Sequence, residues 1–590
     1  MGIDPNCPKR ASVVACPGHG LVLGGPGSGK TTVALRKAVA LIQKGLRPGQ
    51  KVLFLSFSRA AVTRVLDAAR LEVPQKHLSL LSVQTFHAFF WSVLKTHGYL
   101  LGAPKRLEIL LPQDEKAFCG GIGQADEGWA EWLVERERMF REDGRVAFDL
   151  FAPNTAELLA RCRHLPGLVG AAHPLIIVDE AQDTGSHAWR CVELLAPRAQ
   201  ILCLADLEQQ IYDFLPGVGP ERVAEIRAAL DPFEVDLGGE NGRSPDTEIL
   251  AFANDILTAR PRGAPYKGVQ QIGYEPKTVN WNSLLRRAIG AAIKAAECSS
   301  GARPKTIAVL ADTTRNALKA SNALNAVDFP DGKPVAHKLH FDEAEALLTA
   351  RLAAFLLEPK DPAREDGDVA TCIELLANAR RATGTGKAEV AALQLRAQQI
   401  RAGKPPKVNI VKALRVALAA LRSSPFSGDP PADWLSAKRA LRESGEAALI
   451  RAARQLDFMV AFQRGHRISA ALSAEWLRDG AYTRARAALD SALAQEQILD
   501  GAEPPRGVQV MNWHKAKGKQ FDAVILLRES RFAEEGRRES SFIWRGDEPP
   551  YPKSRRLVRV AATRARDGLI ILNPNWPACP LLKGHILQKG

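Results

Sequence analysis

The sequence predicts an α/β protein in which short buried strands alternate with helices around parallel sheets. An apolar run, a glycine-rich turn and a helical segment follow one another at 21–35. Apolar runs of strand length recur at 51–58, 80–87, 175–178 and 201–205, with helical segments between them. Similar runs return at 306–311, 508–511 and 521–527, which indicates a second sheet in the second half of the chain.

Length and composition narrow the class of protein. At 590 residues the chain is expected to form several domains. No run of about 18 uncharged apolar residues occurs, so we expect no membrane span. The first residues lack the basic-then-apolar plan of a secretion signal. The nine cysteines are dispersed without a C-x-x-C pair, as in a cytoplasmic protein with reduced thiols, and they argue against a zinc or iron–sulfur module.

The charge of the chain is strongly positive. The formal net charge is +15 and the pI is about 9.4. An excess of this size suits a polyanionic partner such as nucleic acid, because each neutralised phosphate releases counterions. A basic protein without such a partner is the alternative, and charge alone does not decide between them.

The turn after the first predicted strand has the composition of a phosphate-binding loop. Glycines let successive backbone N–H groups point at one anion, and the following helix N-terminus adds partial positive charge. Lys30 would reach the β- and γ-phosphates, and the Thr31 hydroxyl would bind Mg²⁺. A glycine-rich turn without a ligand is the alternative. The predicted nucleotide-binding residues here are Gly25, Pro26, Gly27, Ser28, Gly29, Lys30, Thr31 and Thr32.

Two carboxylates directly follow the apolar run at 175–178. Asp179 would hold Mg²⁺ through its water shell, so Thr31 and Asp179 form the predicted metal site. Glu180, beside the γ-phosphate, would orient or deprotonate the attacking water. After a phosphate loop, this pair predicts binding and hydrolysis of a nucleoside triphosphate.

Seven segments together resemble the UvrD/Rep-type branch of superfamily 1 DNA helicases. The segment 179–183 is Asp-Glu-Ala-Gln-Asp, and 206–212 contains Asp-x-x-Gln-Gln-Ile-Tyr. Five further segments appear in the order typical of the family, so the resemblance runs from about residue 21 to 570. They are 56–58, 85–87, 241–244, 514–521 and 560–566.

The resemblance implies two RecA-like parallel-sheet motor domains, each interrupted by a mainly helical insertion. The expected boundaries are 1–101 for the first part of motor domain 1A, 102–166 for insertion 1B and 167–235 for the second part of 1A. They continue with 236–357 for the first part of domain 2A, 358–504 for insertion 2B and 505–590 for the second part of 2A.

The resemblance also implies roles for particular residues. Gln209 would sense the γ-phosphate, Arg243 and Arg564 would stabilise its charge, and Gly518 would lie beside the nucleotide. The expected catalytic set is therefore Lys30, Asp179, Glu180, Gln209, Arg243 and Arg564. The expected contacts to DNA bases are Phe57, Phe86, His87, Tyr212, Phe214 and His514, with core packing as the alternative role for each aromatic ring.

Five positions depart from the family pattern. Lys9 stands where relatives carry a glutamine that recognises adenine, Gly242 replaces an adenine-stacking tyrosine, and Gln520 replaces an acidic residue near the ribose. We therefore predict weak discrimination between ATP and GTP. Leu215 and Arg559 replace an arginine and a tyrosine, which leaves the coupling of hydrolysis to DNA movement open.

The function implied by the resemblance is an ATP-dependent, single-stranded-DNA-stimulated helicase or translocase that moves 3′ to 5′. Its cofactors would be ATP and Mg²⁺, and its substrate would be single-stranded DNA or a duplex with a 3′ tail. DNA repair, recombination and antiviral defence beside a partner nuclease are all compatible settings. A nucleotide-switched subunit of a larger complex, without productive unwinding, is the alternative.

Overall fold

The structure is a computed structural model. It describes residues 7–119, 122, 126–206, 221–238, 246–326, 333–340, 344–383, 386–457, 467–498, 506–532 and 537–589. Within these ranges, no helix is long and apolar enough to cross a membrane.

The strands form two large sheets and two short pairs. In chain order they are β1 (Gly20–Leu23), β2 (Val52–Ser56), β3 (Leu81–Thr85), β4 (Glu108–Leu110), β5 (Arg145–Ala147), β6 (Leu175–Val178), β7 (Gln200–Ala205), β8 (Phe233–Asp236), β9 (Val269–Tyr274), β10 (Thr306–Ala311), β11 (His337–Leu339), β12 (Gly507–Asn512), β13 (Phe521–Leu527), β14 (Ser530–Phe532), β15 (Arg538–Ser540), β16 (Ala565–Pro574) and β17 (Gln588–Lys589).

Helices make up most of the remaining regular structure. In chain order they are α1 (Pro8–Ala15), α2 (Lys30–Lys44), α3 (Arg59–Glu72), α4 (Phe86–His97), α5 (Pro112–Phe118), α6 (Trp129–Arg141), α7 (Phe151–Arg161), α8 (Leu165–Ala172), α9 (Ser186–Leu195), α10 (Arg222–Leu230), α11 (Ile249–Thr258), α12 (Trp281–Ser300), α13 (Thr314–Asn325), α14 (Ala344–Leu357), α15 (Glu365–Arg381), α16 (Lys387–Arg401), α17 (Asn409–Ser423), α18 (Pro430–Arg442), α19 (Ala447–Asp457), α20 (Arg467–Asp479), α21 (Ala485–Ile498), α22 (Trp513–Ala516) and α23 (Pro552–Ala562).

The chain divides into two compact units. A two-sheet unit comprises Met1–Phe90, Thr155–His340 and Gly501–Gly590. A helical unit comprises Trp91–Asn154 and Phe341–Asp500. Both predicted sheets therefore lie in one unit.

The first sheet has the strand order β3-β2-β6-β7-β1-β8, and all of its neighbouring strands are parallel. Its inner strands are buried along their whole length because helices cover both faces. In the core, Val22, Phe54 and Ile177 from the sheet pack with Val33 and Leu35 from α2. The parallel arrangement gathers the segments that follow β1, β2, β6 and β7 at one edge of the sheet.

The second sheet has the strand order β11-β12-β10-β13-β16-β9-β17, again with parallel neighbours. Helix α12 covers one face through Leu285 and Ala292, and α11 and α23 cover the other. The predicted α/β fold class with two parallel sheets is thus confirmed.

The strand predicted at 80–87 is shorter than expected. It ends at Thr85, and Phe86 and His87 open helix α4. The Thr85 hydroxyl accepts a hydrogen bond of 3.1 Å from the Ala88 N–H, which is the contact of a helix N-cap. The side-chain cap therefore starts a helix within the run that was predicted as a strand.

The helical unit combines segments far apart in the sequence. Helices α14 to α21 share one apolar core that includes Leu352, Ile373 and Leu414. The Arg351 guanidinium bonds Asp114 on α5 and lies 2.7 Å from a carboxylate oxygen of Asp490 on α21. Strands β4 and β5 form a short parallel pair in this otherwise mainly helical unit.

Candidate functional site

The loop between β1 and α2 is shaped by glycine. Gly27 and Gly29 have φ values of 82° and 87°, in the left-handed region that glycine adopts at little cost. A Cβ atom at Gly24 would lie only 2.5 Å from the Ser28 Oγ, so a side chain there would collide with the loop. The loop therefore curls tightly before α2 begins at Lys30.

Polar groups of this loop point toward its inside. The Lys30 ammonium donates hydrogen bonds to the Gly24 carbonyl, at 2.5 Å, and to the Gly25 carbonyl, at 3.1 Å. The buried Ser28 Oγ has no hydrogen-bond partner within the described part of the chain. The first intrahelical bond of α2 runs from Val33 N–H to the Gly29 carbonyl, so the N–H groups before Val33 precede the helical ladder. This is the arrangement of an anion cradle.

Asp179 and Glu180 follow β6 on the same sheet edge. Asp179 is 6% exposed, and its Oδ2 accepts a hydrogen bond of 3.2 Å from the Ser56 hydroxyl at the end of β2. Burial and the neighbouring Glu180 carboxylate raise the pKa of Asp179 to about 6. Glu180 has a φ of 53°, a left-handed backbone that is uncommon outside glycine.

The charge state of Glu180 is set by the cations around it. Burial disfavours the ionised form, but the charges of Lys517 and Lys30 outweigh it and lower the pKa of Glu180 to about 2. The Gln182 amide donates to the Glu180 Oε2 at 2.7 Å and accepts from the Asp206 N–H at 3.0 Å. Glu180 is thus an ionised hydrogen-bond acceptor, and Gln182 links it to Asp206 at the end of β7.

The turn after α22 brings the second sheet to this edge of the first sheet. The Lys517 ammonium lies 2.6 Å from the Asp183 Oδ2, and both side chains are buried. Burial, partly opposed by Lys517, raises the pKa of Asp183 to about 7. Gly518 has a φ of 78°, and a Cβ there would lie 2.6 Å from the Ser58 Oγ at the start of α3. Only glycine fits this close approach.

Arg564 precedes β16. Like the turn that contains Lys517 and Gly518, it is a part of the second sheet that reaches this edge of the first sheet. It is 1% exposed, and its Nε donates to the Val560 carbonyl at 2.9 Å. Burial and the nearby Arg64 charge lower the pKa of Arg564 to about 10, whereas Glu180 and Asp206 oppose the shift. Its guanidinium is therefore in electrostatic contact with residues of the first sheet.

Some of the predicted site residues lie together in the structure. Others lie outside the described ranges. The phosphate loop, Asp179, Glu180, Gly518 and Arg564 lie together at the junction of the two sheets. Six residues with predicted or altered roles fall outside the described ranges. They are Gln209, Tyr212, Phe214, Leu215, Gly242 and Arg243.

The described candidates for base stacking differ in exposure. Phe57 is half-buried, and His87 is exposed on α4. Phe86 is 6% exposed and packs against Phe90, with ring centroids 5.8 Å apart. His514 is half-buried, with its ring edge-on to Trp544 at 5.4 Å.

Three of the positions that depart from the family pattern are described. The Lys9 ammonium donates to the Asp236 carbonyl at 2.9 Å, next to the segment whose Gly238 carbonyl accepts from Gly25 N–H. Arg559 is buried, and its Nε donates to the Asn254 Oδ1 at 3.0 Å. Gln520 precedes β13 and is half-buried.

Sequence reasoning assigned no role to several residues that complete the cluster. Asp183 and Lys517 lie inside two of the segments that carry the resemblance, but opposite charges 334 positions apart do not by themselves predict a buried pair. Ser56 lies in the segment 56–58 that carries part of the resemblance but received no role, and Arg64 lies outside every such segment. Their positions beside Asp179 depend on how β2 and β6 pair and on the direction of α3.

Positive charge is concentrated in the two-sheet unit. Of the 80 Lys and Arg residues and the 65 Asp and Glu residues, the helical unit contains 31 of each. The whole excess of +15 therefore belongs to the unit that carries the site. Such a field favours polyanions near that unit.

Comparisons with known proteins agree with this architecture. The model of the UvrD/REP helicase N-terminal domain matches residues 6–129 and 110–219. A probable DNA helicase of Mycoplasma pneumoniae is 25% identical over 301 residues, which is 44% of this chain and 56% of that protein. The ATP-dependent DNA helicase Rep of Escherichia coli is 23% identical over 312 residues, 46% of each chain.

The ATP-dependent DNA helicase PcrA of Staphylococcus aureus is 23% identical over 299 residues, 43% of this chain and 40% of that protein. The matched region spans about half the length of these relatives. The matched domain contains the phosphate loop and the Asp179–Glu180 pair, and the two parallel sheets are those expected of two RecA-like domains. The matches therefore support a UvrD/Rep-type superfamily 1 helicase, to which this chain is similar through its first motor domain.

Proposed function

We propose that this chain is a DNA motor that hydrolyses ATP, is stimulated by single-stranded DNA and moves along the strand from 3′ to 5′. The observation that supports this most is the buried cluster in which Lys30, Asp179 and Glu180 of the first sheet meet Lys517 and Arg564 of the second. A nucleotide bound there would contact both sheets. Its hydrolysis would therefore alter the junction between them.

The residues of the cluster fit a magnesium nucleotide. The phosphate loop presents a glycine cradle, the Lys30 ammonium and a buried Ser28 hydroxyl that no other described residue bonds. Thr31 and Asp179 would hold Mg²⁺, which keeps several waters and takes few protein carboxylates. When bound, the ion would neutralise charge on the β- and γ-phosphates. The residue types present match these requirements.

Hydrolysis would proceed by attack of a water oxygen on the γ-phosphorus, with cleavage of the bond to the bridging oxygen. ADP, inorganic phosphate and a proton are the products. Glu180 is ionised and held by Gln182, so it would accept a hydrogen bond from the attacking water and orient it. Lys30 would stabilise charge on the phosphates.

Arg564 would act from the second sheet. Negative charge spreads over the γ-phosphate oxygens in the transition state, and a guanidinium matches that charge. Arg243 and Gln209 would join it, as the family resemblance implies. Because Arg564 belongs to a different sheet from Lys30, the full catalytic set would assemble only when the two sheets approach each other. This requirement would couple hydrolysis to movement.

The DNA would bind to the two-sheet unit. That unit carries the whole positive excess, which suits a phosphate backbone. Phe57, His87 and His514 would contact bases, joined by Tyr212 and Phe214. A stacked base contributes about 1–3 kcal/mol without regard to sequence, so such contacts suit a motor.

The proposal is tested by unwinding of short forked duplexes. Substrates with only a 3′ tail, only a 5′ tail or blunt ends are compared at saturating ATP and Mg²⁺. We expect strand separation on the 3′-tailed substrate and little on the others. Unwinding that favours the 5′ tail would contradict the proposed polarity.

A nucleotide-switched subunit remains the second candidate function. The observation that favours it is Arg559, which is buried and bonded to Asn254 where relatives carry a tyrosine that couples hydrolysis to movement. Such a protein would bind DNA or a partner nuclease in response to ATP without unwinding. ATP-dependent DNA binding together with no unwinding of any forked substrate would favour this candidate. Repair, recombination and antiviral defence are proposed settings for either function.

A further inference from the structure

Arg64 lies on α3, in a part of the nucleotide site that the motifs do not include. Its side chain is half-buried, and its Nε is fully buried without a hydrogen-bond partner among the described residues. Helix α3 starts just after β2, whose last residue Ser56 bonds Asp179. The direction of α3 thus brings Arg64 to the carboxylates that follow β6.

The guanidinium of Arg64 faces charges of both signs. It is in electrostatic contact with Asp179 and Glu180 of its own sheet. The Arg64 charge also disfavours the charged form of Arg564, and this effect is larger than that of any other charge near Arg564. Two guanidinium groups in electrostatic contact repel each other, and an anion between them would remove the repulsion.

The shape of the site favours a phosphate as that anion. Arg64 approaches from the first sheet and Arg564 from the second, while Lys30 comes from the phosphate loop. A guanidinium presents several donors in a fixed plane, which matches the oxygens of a phosphate. A donor left unpartnered in a buried position is destabilising until an acceptor arrives.

We infer that Arg64 is a catalytic residue that binds the γ-phosphate of the nucleotide, opposite Arg564. The inference rests on the proposed function, because it assigns a further ligand to the same nucleotide. It adds to that function the prediction that Arg64, a residue of the first sheet, makes the site select a triphosphate over a diphosphate. Arg64 would also add positive charge where the transition state gains negative charge.

Two variants and one control test this inference. Arg64→Gln removes the charge, and Arg64→Lys keeps it with a less suitable geometry. Arg70→Gln is the matched control, because Arg70 lies on the same helix, is exposed and pairs only at the surface with Asp67 at 2.7 Å. Affinities for fluorescent ADP and for a fluorescent non-hydrolysable ATP analogue are measured with Mg²⁺.

We expect Arg64→Gln to weaken binding of the ATP analogue about 10- to 100-fold, as the loss of a charge-assisted hydrogen bond would, and that of ADP less than about twofold. Arg64→Lys should restore part of the difference, and Arg70→Gln should change neither affinity. ATP hydrolysis should fall with the affinity for the analogue. The thermal midpoint of each variant shows whether it is folded.

Three outcomes would overturn the inference. One is an equal loss of affinity for both nucleotides, which would indicate a structural role. Another is unchanged affinity for both with slower hydrolysis, which would make Arg64 a positioning residue for Glu180. The third is the absence of nucleotide binding by the unsubstituted protein, which would remove the proposed function as well. Binding by the unsubstituted protein therefore distinguishes failure of the proposed function from failure of this inference alone.

Discussion

Replacement of Lys517 by methionine is a direct perturbation of the junction between the two sheets. The residue is 334 positions from Asp183 in the sequence, yet its ammonium lies 2.6 Å from the Asp183 carboxylate. Asp183 is 0% exposed, and its Oδ1 has no partner within the described ranges. Lys517→Met would therefore leave a buried carboxylate without its counterion. Removal of one partner of such a pair costs about 3–5 kcal/mol if the remaining group stays ionised, and proton uptake by Asp183 keeps the cost below that value.

The size of the effect should depend on pH. Burial raises the pKa of Asp183 from 3.8 to about 7. Between these values the folded chain binds more protons than the unfolded chain, so this group lowers stability as pH rises through that window. Below pH 6 the Asp183 carboxyl is neutral, so loss of the Lys517 charge beside it has little effect on the stability of the fold. Above pH 7 the carboxyl is charged, and each further pH unit adds at most about 1.4 kcal/mol to the penalty in the variant.

The assay is thermal unfolding at pH 6 and pH 8 for Lys517→Met, Asp183→Asn and the double variant. We expect Lys517→Met to lower the unfolding temperature more at pH 8 than at pH 6. The double variant should recover the part of the loss that is due to Asp183, because the effect of the Lys517 charge on Glu180 is missing from both variants. Lys319→Met is the control, because Lys319 pairs with Glu529 in a more exposed position and surface pairs contribute about 0–1 kcal/mol. Equal losses at both pH values, with no recovery in the double variant, would show that Lys517 does not compensate the Asp183 charge.

Three further predictions concern the nucleotide site. Lys30→Ala should reduce ATP hydrolysis at least about 100-fold, because charge-assisted bonds to phosphate are lost, and should leave much of the DNA binding in a filter-binding assay. Glu180→Gln should slow turnover about 10²- to 10⁴-fold while retaining bound nucleotide, and persistent turnover would remove Glu180 from its role. Because burial raises the pKa of Asp179 to about 6, kcat/KM should fall as pH drops below 6 and the carboxyl becomes neutral. A profile flat down to pH 5 would contradict this.

The fold was predictable because its strands are short, buried and parallel. The apolar runs at 175–178 and 521–527 matched β6 and β13 closely, since a strand covered by helices on both faces has little polar alternation. The end of the strand in the segment 80–87 was harder to predict. Hydrophobicity continues from β3 into α4, and only the Thr85 cap marks the change from strand to helix.

Local motifs also placed the phosphate loop beside Asp179 and Glu180, because parallel strands end at a common edge. Contacts between the sheets were beyond that reasoning. The Lys517–Asp183 pair and the approach of Gly518 to Ser58 depend on how the two sheets meet. Arg64 shows the same limit, since one arginine in a helix gives no sign of the carboxylates it faces.

Two separate helical insertions were predicted, at 102–166 and 358–504, but not the joining of such segments in one compact unit. Its sequence blocks are separated by nearly two hundred residues, and their association through Arg351 requires knowledge of tertiary contacts. The charge balance of this unit, by contrast, could be counted as soon as its boundaries were known.

The central claim is that DNA binding and ATP hydrolysis are coupled in one motor. It is tested most directly by ATP hydrolysis with and without single-stranded DNA, at low and at moderate salt. We predict strong stimulation by DNA that fades as salt rises, because the contacts to phosphate release counterions. Hydrolysis at the same rate with and without DNA, at every salt concentration, would contradict the account.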